Sequence, residues 1–163
     1  MQIGLISDTH DNFDNIKKFV NICRTRKITY VIHAGDIVSP ESVELFQGVS
    51  LVAVLGNNDV EKEKLLSSFR KIGGQLMGDF CEIERGHLLI AVYHGTNAKR
   101  KASILQSGKY DLLICGHTHK IEEIQVGNTK LINPGTANGW FFGYKATAVI
   151  LDTETRKPQF INL

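Results

Sequence analysis

The chain has 163 residues, 42% of them hydrophobic and 22% charged, which bounds it to a globular protein of one domain, residues 1–163, with a substantial core. A formal charge of +2 and a pI near 8.4 are too mild to indicate nucleic acid as a partner. Cys23, Cys81 and Cys115 are odd in number and widely spaced, which excludes a disulfide framework or zinc knuckle and points to a reducing cytoplasm.

No run approaches a membrane span, and the N-terminus lacks the basic region and long apolar run of a signal peptide. A cytoplasmic chain, complete from Met1, is therefore expected. Residues 3–6 read as a short apolar strand running into Ser7-Asp8-Thr9-His10-Asp11-Asn12. Phe13, Ile16, Phe19, Val20 and Cys23 then fall on one face of a helix whose last turn is basic. Residues 30–32 form a second strand entering His33-Ala34-Gly35-Asp36. Ser39 and Pro40 supply an N-cap and first helical position for a short helix ending near Gly48. Residues 51–55 are a third strand, entering Gly56-Asn57-Asn58-Asp59.

After a helix over residues 63–70, strands over 80–84 and 88–93 flank Arg85-Gly86-His87 as a hairpin that ends at His94-Gly95. A helix over 98–106 leads to the apolar run 111–115 and to Gly116-His117-Thr118-His119. In an extended backbone His117 and His119 would point to one face and converge. A second hairpin, 121–126 with 130–132, closes on Asn133-Pro134-Gly135-Thr136, and strands over 146–152 and 159–163 finish the chain. The expected architecture is α/β: a parallel half followed by a more antiparallel half, with strand ends sharing one rim.

That rim carries Asp8, His10, Asp36, Asn57, His94, His117 and His119, each just past an apolar run. Seven oxygen and nitrogen donors suffice for two divalent ions if one carboxylate bridges them. Such a pair acidifies a bound water and clamps a phosphoryl centre. Mixed carboxylate, amide and imidazole ligation suits manganese first, with iron, zinc, cobalt or nickel also compatible, better than calcium.

The ordered set Asp8-x-His10, Gly35-Asp36, Gly56-Asn57, His94-Gly95 and Gly116-His117-Thr118-His119 resembles the calcineurin-like metallophosphoesterase superfamily. The short length and the Asn133-Pro134-Gly135-Thr136 segment resemble its small prokaryotic phosphodiesterase branch. The resemblance implies a four-layer αββα fold, a β-sandwich flanked by helices, with a dinuclear metal site at the strand ends. It implies that Asp8, His10, Asp36 and His119 hold one ion and that Asp36, Asn57, His94 and His117 hold the other, with Asp36 as the bridge. A small-molecule phosphoester would be the substrate and a metal-bound water the nucleophile; a homo-oligomer is compatible with this reading.

Two positions depart from the family's pattern. Asn58 stands where many active relatives carry a histidine that assists the leaving group, and Thr96 stands where the small branch often has a further histidine. An amide can donate a hydrogen bond to a phosphoryl oxygen but delivers no proton. The alternative function is a catalytically weak or inactive scaffold acting through protein contacts, as in the retromer subunit, which shares the fold and also lacks that histidine. Other polar residues are assigned plainer roles. His33 is expected inside as a hydrogen-bonded support, His87 exposed, Asp11, Asn12 and Asp59 as turn and capping residues, and Lys99-Arg100-Lys101 as a solvated helix face.

Overall fold

The computed structural model describes residues 1–139 and 143–163. Strands β1 (Gln2–Ile6), β2 (Tyr30–His33) and β3 (Ser50–Ala53) alternate with helices α1 (Phe13–Thr25), α2 (Pro40–Glu44) and α3 (Lys62–Lys71). Helix α1 starts where the Asn12 side chain accepts from the Asn15 amide at 3.1 Å, and α2 where the Ser39 hydroxyl accepts from Ser42 at 3.3 Å. A two-residue strand, β4 (Gln75–Leu76), follows α3. It carries no apolar run, and only its pairing with β3 makes it a strand.

The second half comprises β5 (Phe80–Arg85), β6 (Leu88–Tyr93), α4 (Ala98–Gln106), β7 (Leu112–Ile114), β8 (Ile121–Val126), β9 (Thr129–Pro134), β10 (Thr147–Asp152) and β11 (Lys157–Asn162). The strands form two sheets, a six-stranded one in the order β11-β10-β1-β2-β3-β4 and a five-stranded one in the order β5-β6-β7-β9-β8. The expected parallel half followed by a more antiparallel half is seen: β1 to β4 pair with one another only in parallel, whereas β5 with β6, β8 with β9 and β10 with β11 are antiparallel. Strands β6, β7 and β9 run parallel, while β10 returns to the first sheet and pairs antiparallel with β1, Gln2 opposite Asp152. The physical reason lies in β10 itself, whose Ala148, Val149, Ile150 and Leu151 are all buried and so need cover on both faces.

Period-two alternation sorts each strand between two cores. Ile3, Leu5, Ile32, Val52, Ile90, Ile114 and Leu151 pack between the sheets. Ile6, Val31 and Leu51 face the other way, against Ile16, Phe19 and Cys23 of α1 and Leu65 and Phe69 of α3. Leu113 and Leu131 lie in a third cluster, against which Ile104 and Leu105 of α4 pack. Helices thus cover both outer faces, giving the expected αββα layers.

Phe19 is fully buried in the α1 layer, whereas Phe13 at the start of the same helix is exposed. Phe19→Ala should cost about 3–5 kcal/mol in urea denaturation, and Phe13→Ala about 0.5 kcal/mol or less. Equal effects would contradict the packing described.

Candidate metal centre

The loops after β1, β2, β3, β6 and β7 meet on one rim because backbone hydrogen bonds lace them together. Asp8 N donates to Gly35 O at 3.0 Å, His10 N to Asp36 O at 3.2 Å and Gly116 N to His94 O at 2.9 Å. Side chains complete the lacing. His117 N donates to Asp8 Oδ2 at 3.0 Å, and the Ser7 hydroxyl donates to the same oxygen at 2.6 Å. Two glycines permit the closeness: a Cβ on Gly35 would fall 2.6 Å from His94 Nδ1, and one on Gly116 would fall 2.5 Å from Asp8 Oδ2.

The crossing loops are strained. Asp8, His10, Asp36, His117 and His119 all have positive φ, from 40° to 68°. Non-glycine residues rarely occupy that region, and each instance costs on the order of 1–3 kcal/mol. His117 and His119 reach the same cluster as expected, but from left-handed turns rather than as alternate residues of a strand: His119 Nε2 faces Asp8 Oδ1, 3.2 Å away, and the His117 ring lies edge-to-face with His94, centroids 5.2 Å apart.

The imidazoles form two such pairs, since His10 meets His119 at 5.4 Å. Between the pairs lie the buried carboxylates of Asp8 and Asp36. Asp36 Oδ2 is 3.6 Å from His10 Nε2 and 3.4 Å from His94 Nε2, so it spans both pairs. Asp8 Oδ1 also reaches His94, at 4.0 Å. Two groups of ligand-type atoms, Asp8-His10-His119 and Asp8-Asp36-His94, each lie within 4.8 Å. Asn57 stands exposed on the rim, and its side chain is in no described contact with the other six.

A cation fits between these groups. His94 Nδ1 lies 2.7 Å from the Ala34 carbonyl, which can only accept, so this nitrogen carries the proton and leaves Nε2 as the lone-pair atom. Nε2 is buried without a hydrogen-bond partner and faces carboxylate oxygens. A lone pair opposed to anions is repulsive unless a positive charge lies between them. Where no ion lies between them, the same carboxylates draw a proton onto the ring instead. Burial alone would raise Asp36 and lower His94, yet Asp36 is held well below the ordinary carboxylate range by His94 and the Asn58 donors, and His94 is raised by Asp36 and Asp8. The Asp8 hydrogen bond likewise raises His119, whereas burial lowers His117.

Asn58 lies on a ligand rather than in open solvent. Its amide Nδ2 donates to Asp36 Oδ2 at 2.7 Å and its backbone N–H to Oδ1 at 2.8 Å. Asp59 does more than turn the chain: it is buried, Oδ2 accepting from Asp36 N at 2.9 Å and Gly56 N at 2.7 Å, and Oδ1 from Val38 N at 2.8 Å. Asp11 Oδ1 accepts from Ser39 N and from the Ser39 and Ser42 hydroxyls, pinning α2 to the first loop. Asn133 Nδ2 donates to Gly116 O at 2.9 Å, and the Thr136 hydroxyl donates to Asp8 O at 3.0 Å. Sequence reasoning left these supports as capping or turn residues, because the same residue types serve both ends. His87 is exposed as expected, and so are Lys99 and Arg100, Arg100 pairing with Asp79 at the surface, while Lys101 is half-buried against Glu122.

His33 is interior, as expected. Its Nδ1 accepts from Gly35 N at 3.2 Å and its Nε2–H meets the Thr9 hydroxyl at 3.1 Å, an arrangement that requires the neutral ring. Burial pushes its pKa down to about 4, against an opposing pull from Asp59 and Asp8. The unfolded chain, at about 6.5, takes up a proton that the folded one refuses. Stability is therefore complete above that pH and declines as pH falls toward 4. Relative to His33→Gln, metal-free protein should lose on the order of 3 kcal/mol between pH 7 and pH 4 in denaturant titrations; parallel pH profiles would refute the assignment. Asp59→Ala, which strands one buried and two part-buried N–H groups, should lower divalent-metal affinity about 10–100-fold by calorimetry. Unchanged affinity would remove Asp59 from the support of the centre.

Comparison with known proteins agrees with this geometry. The calcineurin-like phosphoesterase superfamily domain matches residues 1–156. A phosphodiesterase from Methanocaldococcus jannaschii is 36% identical over 166 residues, covering 100% of this chain and 99% of the relative. A solved structure of an archaeal phosphodiesterase superposes with a TM-score of 0.94 at 35% identity, covering 100% of both chains. Vps29 from Entamoeba histolytica superposes with a TM-score of 0.74 at 19% identity, covering 100% of this chain and 99% of that one, a likeness of fold alone. The chain belongs to the calcineurin-like phosphoesterase superfamily.

Proposed function

We propose that the chain, acting as one domain over residues 1–163 in the cytoplasm, is a metal-dependent phosphodiesterase. The observation that supports this reading most directly is the pair of buried carboxylates flanked by two imidazole pairs. Membership of the superfamily implies divalent ions, and the donor set suits them. On this reading Asp8, His10, Asp36 and His119 hold one ion, Asp36, Asn57, His94 and His117 the other, with manganese the first choice for mixed oxygen and nitrogen donors. Bound there, the two ions supply a water of lowered pKa and a clamp for phosphoryl oxygens.

The chain's own residues fix the rest. The Ala34 carbonyl keeps His94 in the tautomer whose Nε2 can ligate. Asn58 donates to Asp36 Oδ2, the oxygen that a bridging role would require, so with ions held there this exposed amide would be released to the rim. There it donates a hydrogen bond and no proton. The leaving group must then depart as an anion, which favours aryl over alkyl esters. All three cysteines are free and buried, with burial pushing Cys23 and Cys115 up to about 12 and Cys81 up to about 11. Such inert thiols suit a reducing compartment.

Turnover of a chromogenic aryl diester with added manganese, abolished by a chelator, tests the activity. Asp36→Asn should lower the content of both ions and His119→Ala chiefly one, as read by metal analysis; full content in the Asp36 variant would refute the bridge. A positioned general acid is typically worth about 10²–10⁴-fold, so Asn58→His should raise alkyl-diester turnover more than aryl-diester turnover. No turnover of either ester by fully metal-loaded protein would favour the scaffold function.

A further inference from the structure

A cavity of about 230 Å³ is lined by His119, Lys120, Ile121, Tyr144, Lys145, Thr147 and Asn162. Its surface is mostly apolar, with Ile121 at the start of β8 and Tyr144 among its walls, and Lys120 and Lys145 bring two cationic side chains to it. Ile121 is half exposed there. The Thr147 hydroxyl is already committed, donating to Pro134 O at 2.7 Å, so it offers no donor to a ligand.

Charge at this cavity is uncompensated. The acidic residues nearest in sequence, Glu122 and Glu123 on β8, are engaged by Lys101 at 3.0 Å and Lys130 at 2.8 Å. Among the described residues, Lys120 and Lys145 make no ion pair. An apolar slot with a ligand histidine and two free cations in its lining is matched by an ester group that is itself flat and apolar and carries a second negative charge. The volume falls below the range of about 300–1,000 Å³ that holds drug-sized ligands, so it accommodates a single ring rather than a fused or extended group.

We propose that this cavity is the subsite for one ester substituent of the substrate, and that it selects a single-ring substituent bearing an anionic group, with Ile121 and Tyr144 taking the ring and Lys120 and Lys145 the charge. The proposal rests on the phosphodiesterase reading, since His119 places the phosphoryl end of the ligand. Lys120 and Lys145 are specificity residues and touch no reacting atom.

Equilibrium binding tests it without requiring turnover. Benzylphosphonate and 4-carboxybenzylphosphonate would be titrated into manganese-loaded protein by calorimetry, with inorganic phosphate as the control. Exposed ion pairs are individually weak and screened by salt. The carboxylate should therefore improve affinity about three- to tenfold, an advantage that shrinks in 0.5 M sodium chloride. It should vanish in the double variant Lys120→Met/Lys145→Met while phosphate affinity stays unchanged. Tyr144→Ala should weaken both aromatic ligands and leave phosphate alone. Equal affinity of the two phosphonates for the wild type, an advantage that survives the double variant, or failure of either phosphonate to bind more tightly than phosphate would overturn the subsite. Diester turnover measured on the same preparations separates these outcomes from loss of the phosphodiesterase reading, which would show as no hydrolysis by protein that still binds the ligands.

Discussion

Two carboxylates, Asp8 and Asp36, lie buried side by side at the ends of neighbouring parallel strands, and like charges so placed repel one another unless cations or donors surround them. The structure answers that repulsion twice. Ser7, the His117 amide and Asn58 donate hydrogen bonds to the carboxylates from behind and from the side. The ring nitrogens of His10, His94 and His119 face them across 3.2 to 4.0 Å, with His119 close enough to hydrogen-bond Asp8 and the longer gaps from His10 and His94 suited to an intervening cation. Replacing either aspartate by an apolar residue would relieve the repulsion and remove the reason for most of the rim.

Holding these groups at the right angles requires backbone that is unfavourable on its own. The left-handed conformations at Asp8, His10, Asp36, His117 and His119 persist because each loop is bonded to at least one other. Asp59 reaches from the third loop to the second, Asp11 from the first to α2, and Asn133 from β9 to the last histidine loop. The rim behaves as one unit, so a change in a support far from any ion would be felt at both ion positions.

The cluster of carboxylates and imidazoles on the rim could be read from sequence because each member follows an apolar strand and glycine marks the close approaches. What could not be read depends on contacts between distant segments. Asp59 and Thr136 are a turn residue and a loop residue until the fold carries them to the amide of Asp36 and the carbonyl of Asp8. Strand β4 has no local signal, since Gln75 and Leu76 are extended only by pairing with β3. The placement of β10 was equally hidden. Its alternating run fits either sheet, and only burial on both faces decides that it belongs beside β1. His117 and His119 reach one cluster by left-handed turns rather than by the extended backbone expected, because a strand's period ends where its ladder ends, at Ile114.

Pairing of β10 with β1 also bears on how the chain is made. Strand β1 leaves the ribosome well before one of its two neighbours in the sheet, residues 147–152. During synthesis β1 and β2 can pair, and α1 can cover them, but one edge of β1 stays open until residues 147–152 have emerged. An open apolar edge in a nascent chain is a template for wrong partners. The loop carrying Asp8 and His10 begins at the end of that strand, so these two candidate ligands await residues 147–152 before their sheet is closed.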